Sequence, residues 1–322
     1  MVGERTHNTC EPMARPAPVH PGAELCRAVN LTSHRRSFRR RPVKARKVRR
    51  LEWLALPDWD RSSCAPNPLR LAWFCWHAAD MEGFDPATSF GPDVSQRYDD
   101  DLRGDEAETV DFLAGLVGGG SALEFAIGTG RVALPLSQRG VGVDGIELSP
   151  DMVARLREKP GGDKLDVTMG DMSSASGPRE NYSLVYLVYN TIYNLLTQDD
   201  PVRCFENAAR HLGPDGVFVV EAGVPSALLR GDQFINVEHL SNGEVVLDVN
   251  RYDAVTQVLD ENHVSLTNDG VRLGPISCRL IWPSEMDLMA KIAGMRLLHR
   301  WAGWNAEPFT ATSARQVSVY AR

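Results

Sequence analysis

The sequence predicts an α/β fold: a doubly wound, mostly parallel sheet that carries an inserted antiparallel β sheet. Two observations predict it. From residue 106 to residue 223, short apolar strands alternate with amphipathic helices, the order that right-handed βαβ units produce. After residue 233 the alternation stops, and β-like segments follow one another across turn sequences.

"EAETVDFLAGLVGGG" has helical apolar spacing at Val110, Phe112, Leu113, Leu116 and Val117 and stops at glycines. "ALEFA" is a short strand, and "RVALPLSQRG" is a helix whose Pro135 sits early enough to be tolerated. "VGVDGIEL" is strand-like. "SPDMVARLREK" opens a helix with Ser149 as N-cap, Pro150 at the first helical position and Asp151 in the first turn. "KLDVTMGDM" is a strand then a loop, and "YSLVYLVYN" is nearly continuous apolar strand, as a buried parallel sheet requires. "DDPVRCFENAARHLGPDG" is a helix starting near Asp200 and Pro201, with Gly213 past its end, and "VFVVEAG" is a fifth strand.

Residues 234–282 form the expected insertion. "FINVEHL", "EVVLDVNRYD", "QVLDENHVSLT" and "ISCRLIW" are broken at Ser241-Asn242-Gly243 and Asn268-Asp269-Gly270. "PSEMDLMAKIAGM" follows as a helix with Ser284 and Asp287 in capping-box spacing. "RLLHRWAGW" and "ARQVSVYAR" close the chain as a hairpin.

Charge divides the 322 residues in two. Residues 1–80 hold 15 Lys+Arg against 7 Asp+Glu, and the rest hold 20 against 35. The acidic body argues against a nucleic-acid partner. The segment "RRSFRRRPVKARKVRR" cannot bury enough apolar surface to offset its ordering entropy. Residues 1–80 are therefore expected to be a disordered basic extension, with the domain at 81–322. Three readings account for it: a basic arm for nucleic acid or an anionic surface, a targeting segment, which Glu4, Glu11 and Glu24 argue against, and a natural start near Met81. No apolar run approaches the roughly 20 residues that span a bilayer. The six cysteines include no C-x-x-C pair and no zinc spacing. No metal is expected, Cys204 and Cys278 read as small buried hydrophobes, and the setting is expected to be reducing and cytoplasmic.

The chemistry sits in "ALEFAIGTGRVALPL". Gly128, Thr129 and Gly130, with Arg131, Val132 and Ala133, formally match the dinucleotide loop G-x-G-x-x-A. In a dinucleotide site the glycines admit a pyrophosphate at a helix N-terminus, and Glu124 would repel it. A cationic ligand without phosphate would welcome that carboxylate. S-adenosylmethionine, with its ammonium and sulfonium, is such a ligand. Glu124 at the end of strand one can face its methionine portion. Glu147, ending strand two, can accept both ribose hydroxyls. Asp171 in "MGDMSS" can accept from the adenine amine, with Met172 on the adenine face.

On "LEFAIGTGR", "GIELSPDM", "GDM" and "YLVYNTIYNLL", the sequence resembles the class I S-adenosylmethionine-dependent methyltransferases over roughly residues 85–322. The resemblance implies a seven-stranded Rossmann-like sheet and a methyl group passed to a small-molecule acceptor, nitrogen ahead of oxygen. One departure is Ala126, where the family's loop usually has its first glycine. An alanine is tolerated there if φ stays below zero. The insertion is similar to that of glycine- and aminosugar-type N-methyltransferases, which roof the site with such a sheet. This likeness makes Tyr189, Asn190 and Thr191 candidate cofactor or substrate contacts, and Tyr98 resembles a lid tyrosine. The Asn/Asp-Pro-Pro-Tyr signature of nucleic-acid amino methyltransferases is missing. The cofactor set is thus Tyr98, Glu124, Gly128, Thr129, Gly130, Glu147, Asp171, Met172 and Tyr189.

Tyr189, Asn190 and His263 are the catalytic candidates. His239 also lies in the insertion, His299 on a late strand and His211 at a helix end. A sulfonium needs mainly an aligned, unprotonated nucleophile, so a dedicated base is not required. A homodimer is compatible with this reading. Two rivals stay open: an NAD(P)-dependent oxidoreductase using the glycine loop, and a non-catalytic cofactor- or RNA-associated protein using the basic arm.

Overall fold

The computed structural model describes Met81, residues 84–100 and residues 103–322. The expected basic extension at 1–80 lies outside the described residues. Five strands carry the wound half: β1 (Ser121–Phe125), β2 (Gly142–Glu147), β3 (Asp166–Met169), β4 (Tyr182–Leu187) and β5 (Leu212–Gly223). They are preceded by two short helices, α1 (Pro86–Ser89) and α2 (Pro92–Arg97), and by α3 (Glu106–Val117). Between the strands lie α4 (Ala133–Gln138), α5 (Pro150–Glu158) and α6 (Asp199–His211), and α7 (Pro225–Leu228) follows β5. The insertion is β6 (Gln233–Leu240), β7 (Glu244–Asp253), β8 (Val258–Thr267) and β9 (Gly270–Arg279). The chain ends with α8 (Pro283–Ile292), β10 (Arg296–Trp301) and β11 (Arg315–Ala321).

The main sheet has seven strands in the order β10-β11-β5-β4-β1-β2-β3. β1 pairs in parallel with both β2 and β4, β2 with β3 and β4 with β5. β11 alone reverses, antiparallel to β5 and β10. Winding runs one way from β1 through β3 and the other way from β4, so the switch point lies between β1 and β4. A ligand crevice belongs there, at the carboxyl ends of the strands.

Both faces of this sheet are covered, which is why its strands are apolar throughout. Leu123 and Phe125 of β1, with Val185 and Leu187 of β4, pack in one cluster with Phe205 and Ala208 of α6 and Met286 of α8. Their neighbours Ala122, Leu184 and Tyr186 join the opposite cluster with Val110 and Leu113 of α3, Leu136 of α4 and Leu156 of α5. Gly130 has φ +76°, and a Cβ on it would lie 2.4 Å from Leu156 Cδ1. That position needs glycine so that α5 can pack against the loop.

Ser149 caps α5 as expected, its Oγ accepting from Met152 N at 3.2 Å. The expected box at the start of α8 is different. Glu285, not Asp287, turns back to accept from Trp282 N at 2.9 Å. Asp287 instead pairs with Arg300 at 2.6 Å and accepts from the Tyr320 hydroxyl at 3.1 Å. A distant cation outcompeted a local backbone bond.

The four inserted strands form a separate antiparallel sheet in the order β6-β7-β8-β9. It spans 233–279, three residues shorter at its end than the expected 234–282, because residues 280–282 lead into α8. One face rests on the wound core through buried Leu259 with Phe234, Tyr252 and Cys278. Pairing puts Ile235 and Val249, and Val237, Leu247 and Leu273, together on the other face. Ile235, Val237 and Leu273 are each more than 60% exposed there.

Candidate active site

A cavity of about 340 Å³ opens at the carboxyl ends of β1, β2 and β3. Its floor is apolar, with Ile146, Met152, Met172 and Leu195 in the lining, and Glu147, Ser149, Asp171 and Asn194 supply polar groups. Apolar walls with a few convergent polar groups suit a small-molecule ligand.

Glu147 ends β2 and is 6% exposed. Its carboxylate accepts three backbone N–H groups: Gly128 at 2.8 Å, Leu148 at 2.9 Å and Ser149 at 2.8 Å. Burial pushes its carboxyl above the usual range, and those three donors oppose the rise. The carboxylate thereby ties β2 to the glycine loop that follows β1. Asp171 stays exposed, accepting from Ser173 N at 2.7 Å. Met172 is held by the Asn207 amide of α6, which donates to its carbonyl at 2.9 Å.

Of the expected cofactor residues, Tyr98, Gly128, Glu147, Asp171 and Met172 line this cavity, and so does Thr191. Glu124, Thr129, Gly130 and Tyr189 are not in its lining. Glu124 shares strand parity with Ala122, so it turns toward the α3–α4 side. It is 3% exposed and accepts from the Tyr186 hydroxyl at 2.9 Å. Burial pushes its carboxyl well above the usual range; Tyr186 lowers it and nearby Glu147 raises it. Ala126 lines the cavity with φ +53°. The expectation of φ below zero is corrected: this alanine sits in the left-handed region, at a cost of about 1–2 kcal/mol.

Residues 84–100 cover the cavity, with Phe84, Ser89, Phe90 and Tyr98 in its lining. They are fastened to the glycine loop and α5. Asp99 accepts from Thr129 Oγ1 at 2.7 Å and pairs with Lys159 at 2.7 Å. Ser149 Oγ donates to the Phe90 carbonyl at 2.6 Å, and Arg131 donates to that of Tyr98. Thr129 thus belongs to the fastening of the cover.

After β4, Tyr189 and Asn190 both adopt positive φ, +60° and +62°. Two such residues in succession are strained, and β5 holds them. Glu221 accepts from Tyr189 N at 2.6 Å, and Asn190 Oδ1 accepts from Gly223 N at 2.6 Å. Asn190 is therefore engaged in positioning this turn. The Tyr189 hydroxyl is buried with no hydrogen-bond partner. Arg103 and Arg131 lie over its ring at 4.6 and 5.4 Å. Burial first, then Glu106, pushes the Tyr189 phenol up.

Sequence reasoning missed Glu221 and Arg103. Glu221 is fully buried and takes both Arg103 guanidinium nitrogens, at 3.1 and 2.9 Å. Nothing local marks a pair 118 residues apart; only the charge inside "VFVVEAG" hinted at a partner. His263 pairs with Asp248 through Nδ1 on the inserted sheet and is outside the cavity lining. His211 Nε2 accepts from Gly177 N at 2.8 Å, a structural role. Among the described residues, no three His, Cys, Asp or Glu side chains converge as metal ligands.

A wound sheet with a buried carboxylate at the end of β2 and a cavity beside its glycine loop form a Rossmann-like ligand site. A family model described as a methyltransferase domain matches residues 122–216. The solved CcbJ methyltransferase of Streptomyces caelestis is similar at 33% identity with a TM-score of 0.70, covering 74% of this chain and 98% of that one. SAM-bound CalS10, an amino pentose methyltransferase from Micromonospora echinaspora, shares the fold at 20% identity and a TM-score of 0.53, over 70% of this chain and 95% of that one. The cypemycin N-terminal methyltransferase of Streptomyces sp is 24% identical over 209 residues, 63% of this chain and 84% of that protein. The putative methyltransferase YqeM of Bacillus subtilis is 27% identical over 103 residues, 32% of this chain, and the chain spans 42% of that protein's length. The chain belongs to the class I S-adenosylmethionine-dependent methyltransferases. No helix among the described residues is long and apolar enough to cross a membrane.

Proposed function

We propose that the chain methylates a nitrogen of a small-molecule acceptor, with the donor in the 340 Å³ cavity. The residues present fit that donor. Glu147 and Asp171 are placed to accept from ribose and adenine, and Met172 with Met152 gives the base apolar contact. Glu124, beneath the loop and bonded to the Tyr186 hydroxyl, braces the strand end on which the methionine portion would rest. The buried, unpartnered Tyr189 hydroxyl, on a ring with two guanidinium groups over it, is a further polar group for the donor's amino-acid end. Bound S-adenosylmethionine supplies a sulfonium methyl group.

The observation that supports the nitrogen reading is the carboxylate set in the cavity lining, Glu147, Asp171 and Asp200, which attracts an amino acceptor and is too weakly basic to deprotonate a hydroxyl. A neutral amine attacks without a base, whereas a hydroxyl must lose its proton. The name of the cypemycin enzyme agrees with an amino acceptor. Calorimetry with S-adenosylmethionine and, separately, NADH tests the donor, and amine against hydroxyl acceptors test the atom. Binding of NADH alone would replace this reading with an oxidoreductase.

We also infer a cytoplasmic protein that pairs with itself through the exposed apolar face of the inserted sheet. Val237→Asp with Leu273→Asp should convert a dimer into a monomer by light scattering. An unchanged mass would exclude that face.

A further inference from the structure

Residues 170–181 connect β3 to β4 with no helix or strand of their own. Such a connection is positioned by whatever its polar backbone groups bond to. Its first turn carries Asp171 and Met172, which line the donor cavity. The turn closes on itself. The Asp171 carbonyl accepts from Ser174 N at 3.0 Å and Ala175 N at 2.8 Å, and its carboxylate accepts from Ser173 N at 2.7 Å. Asp171 is thereby tied to residues 173–175 and moves with them.

Helix α6 fixes that turn against the domain. Asn207 is fully buried, and its Nδ2 donates to the Met172 and Ala175 carbonyls, each at 2.9 Å. Its Oδ1 accepts from Arg210 at 2.8 Å. One helical turn further on, His211 Nε2 accepts from Gly177 N at 2.8 Å, and His211 Nδ1 faces the Asn207 carbonyl at 2.8 Å. The buried residues beside Asn207 on this helix, Cys204, Phe205 and Ala208, belong to the apolar core. An amide placed among them is costly unless its polar atoms are bonded. Both of its donors go to the turn behind Asp171 and Met172, and Asn207 itself is outside the cavity lining.

We propose that Asn207, with His211 behind it, is a positioning residue that sets the cavity's selectivity for adenine by holding the turn of Asp171 and Met172. The inference rests on the proposed placement of adenine against Asp171. A carboxylate there accepts from the exocyclic amine of adenine. Hypoxanthine carries an oxo group in place of that amine and an N–H in place of the ring acceptor, so it inverts the pattern. A turn held in place cannot adapt to the inverted pattern and rejects it, because its polar groups are left unpaired. A loosened turn can shift to meet either base. Selectivity therefore depends on the anchors as well as on the side chain that touches the base.

The test is calorimetry on the full chain with S-adenosylhomocysteine and with S-inosylhomocysteine, its hypoxanthine analogue. The wild type should bind the adenosyl compound about tenfold more tightly. In Asn207→Leu that ratio should fall below about threefold. A merely structural role would weaken both ligands alike, and an unchanged ratio overturns the proposal. Asp171→Asn should also lower the ratio, and combining it with Asn207→Leu should lower it no further. Additive losses would show that Asn207 does not act through Asp171, which likewise overturns the proposal. Should Asn207→Leu not fold, His211→Leu removes the acceptor for Gly177 and should lower the ratio, while His211→Gln restores an acceptor and the ratio with it. A ratio that survives His211→Leu overturns the proposal. A wild type that binds both compounds equally overturns the placement of adenine at Asp171, and this inference with it. A wild type that binds neither overturns the functional reading itself.

Discussion

Glu147 and Glu124 are buried carboxylates beside one glycine loop, and their surroundings assign them different work. Three backbone donors keep Glu147 bonded before any ligand arrives. Glu147→Ala should weaken donor binding by about 1.5–3 kcal/mol, as expected for hydrogen bonds to a charged group. It should also lower the melting temperature, because the N–H groups of Gly128, Leu148 and Ser149 lose their partner at about 1–3 kcal/mol for each one left buried. Calorimetry and thermal melts check the two halves; an unchanged melt would mean water replaces the carboxylate. Glu124 has one hydroxyl donor and a folded-state pKa well above its usual value. Its sign follows from proton counts. Above the unfolded pKa of about 4.3 the folded protein holds a proton that the unfolded chain has released, so stability falls as pH rises toward the folded pKa. Glu124→Gln should flatten that decline, measured as melting temperature across mildly acidic to alkaline pH. A decline as steep as in the wild type would assign it to another group.

At the scale of elements, the cover over the cavity depends on a small polar junction. Asp99 receives Thr129 and Lys159, joining the end of α2 to the loop and to α5. Asp99→Asn removes the charge and keeps a carbonyl for Thr129. Donor release should quicken by roughly two- to tenfold, the effect of about 0.4–1.4 kcal/mol, with little change in the melting temperature. Stopped-flow displacement by S-adenosylhomocysteine measures it, and an unchanged rate would show that the cover does not gate release. This junction also marks how far the sequence could be followed. Each wound strand and helix was legible because burial on two faces writes apolar runs and capping residues write helix starts. Glu147, Asp171 and Met172 were legible because strand ends beside a glycine loop have a fixed destination. Asp99 with Lys159, Glu221 with Arg103 and Asp287 with Arg300 were not, since each bond joins residues brought together only by folding. Glu124 shows the intermediate case: its strand end was readable, while the side it faces depends on a parity shared with Tyr186.

At the scale of the whole molecule, the inserted sheet is a structural partner of the wound domain. Leu259 is packed in the core cluster of α6 and α8, and Leu280 and Ile281, which follow the insertion, are in it too. Ile276 takes part in the donor cavity, and the Arg279 guanidinium pairs with Glu285 at the start of α8 at 3.0 Å. Residues 234–282 contain no donor-contact motif, so sequence alone suggests that a linker could replace them without loss of donor binding. The packing argues otherwise. Removing residues 233–279 in favour of a short Gly/Ser linker uncovers core against which Leu259, Phe234 and Tyr252 rest. Fully burying one such side chain contributes about 1.5–3 kcal/mol, against a total stability of roughly 5–15 kcal/mol. The deletion should therefore lower the melting temperature sharply and weaken S-adenosylmethionine binding, whereas Val237→Asp with Leu273→Asp, on the exposed face away from that packing, should spare both. Circular dichroism melts and calorimetry on the two proteins separate these effects. A deleted chain that stays folded and binds the donor within a few-fold of wild type would show that the sheet serves the acceptor alone.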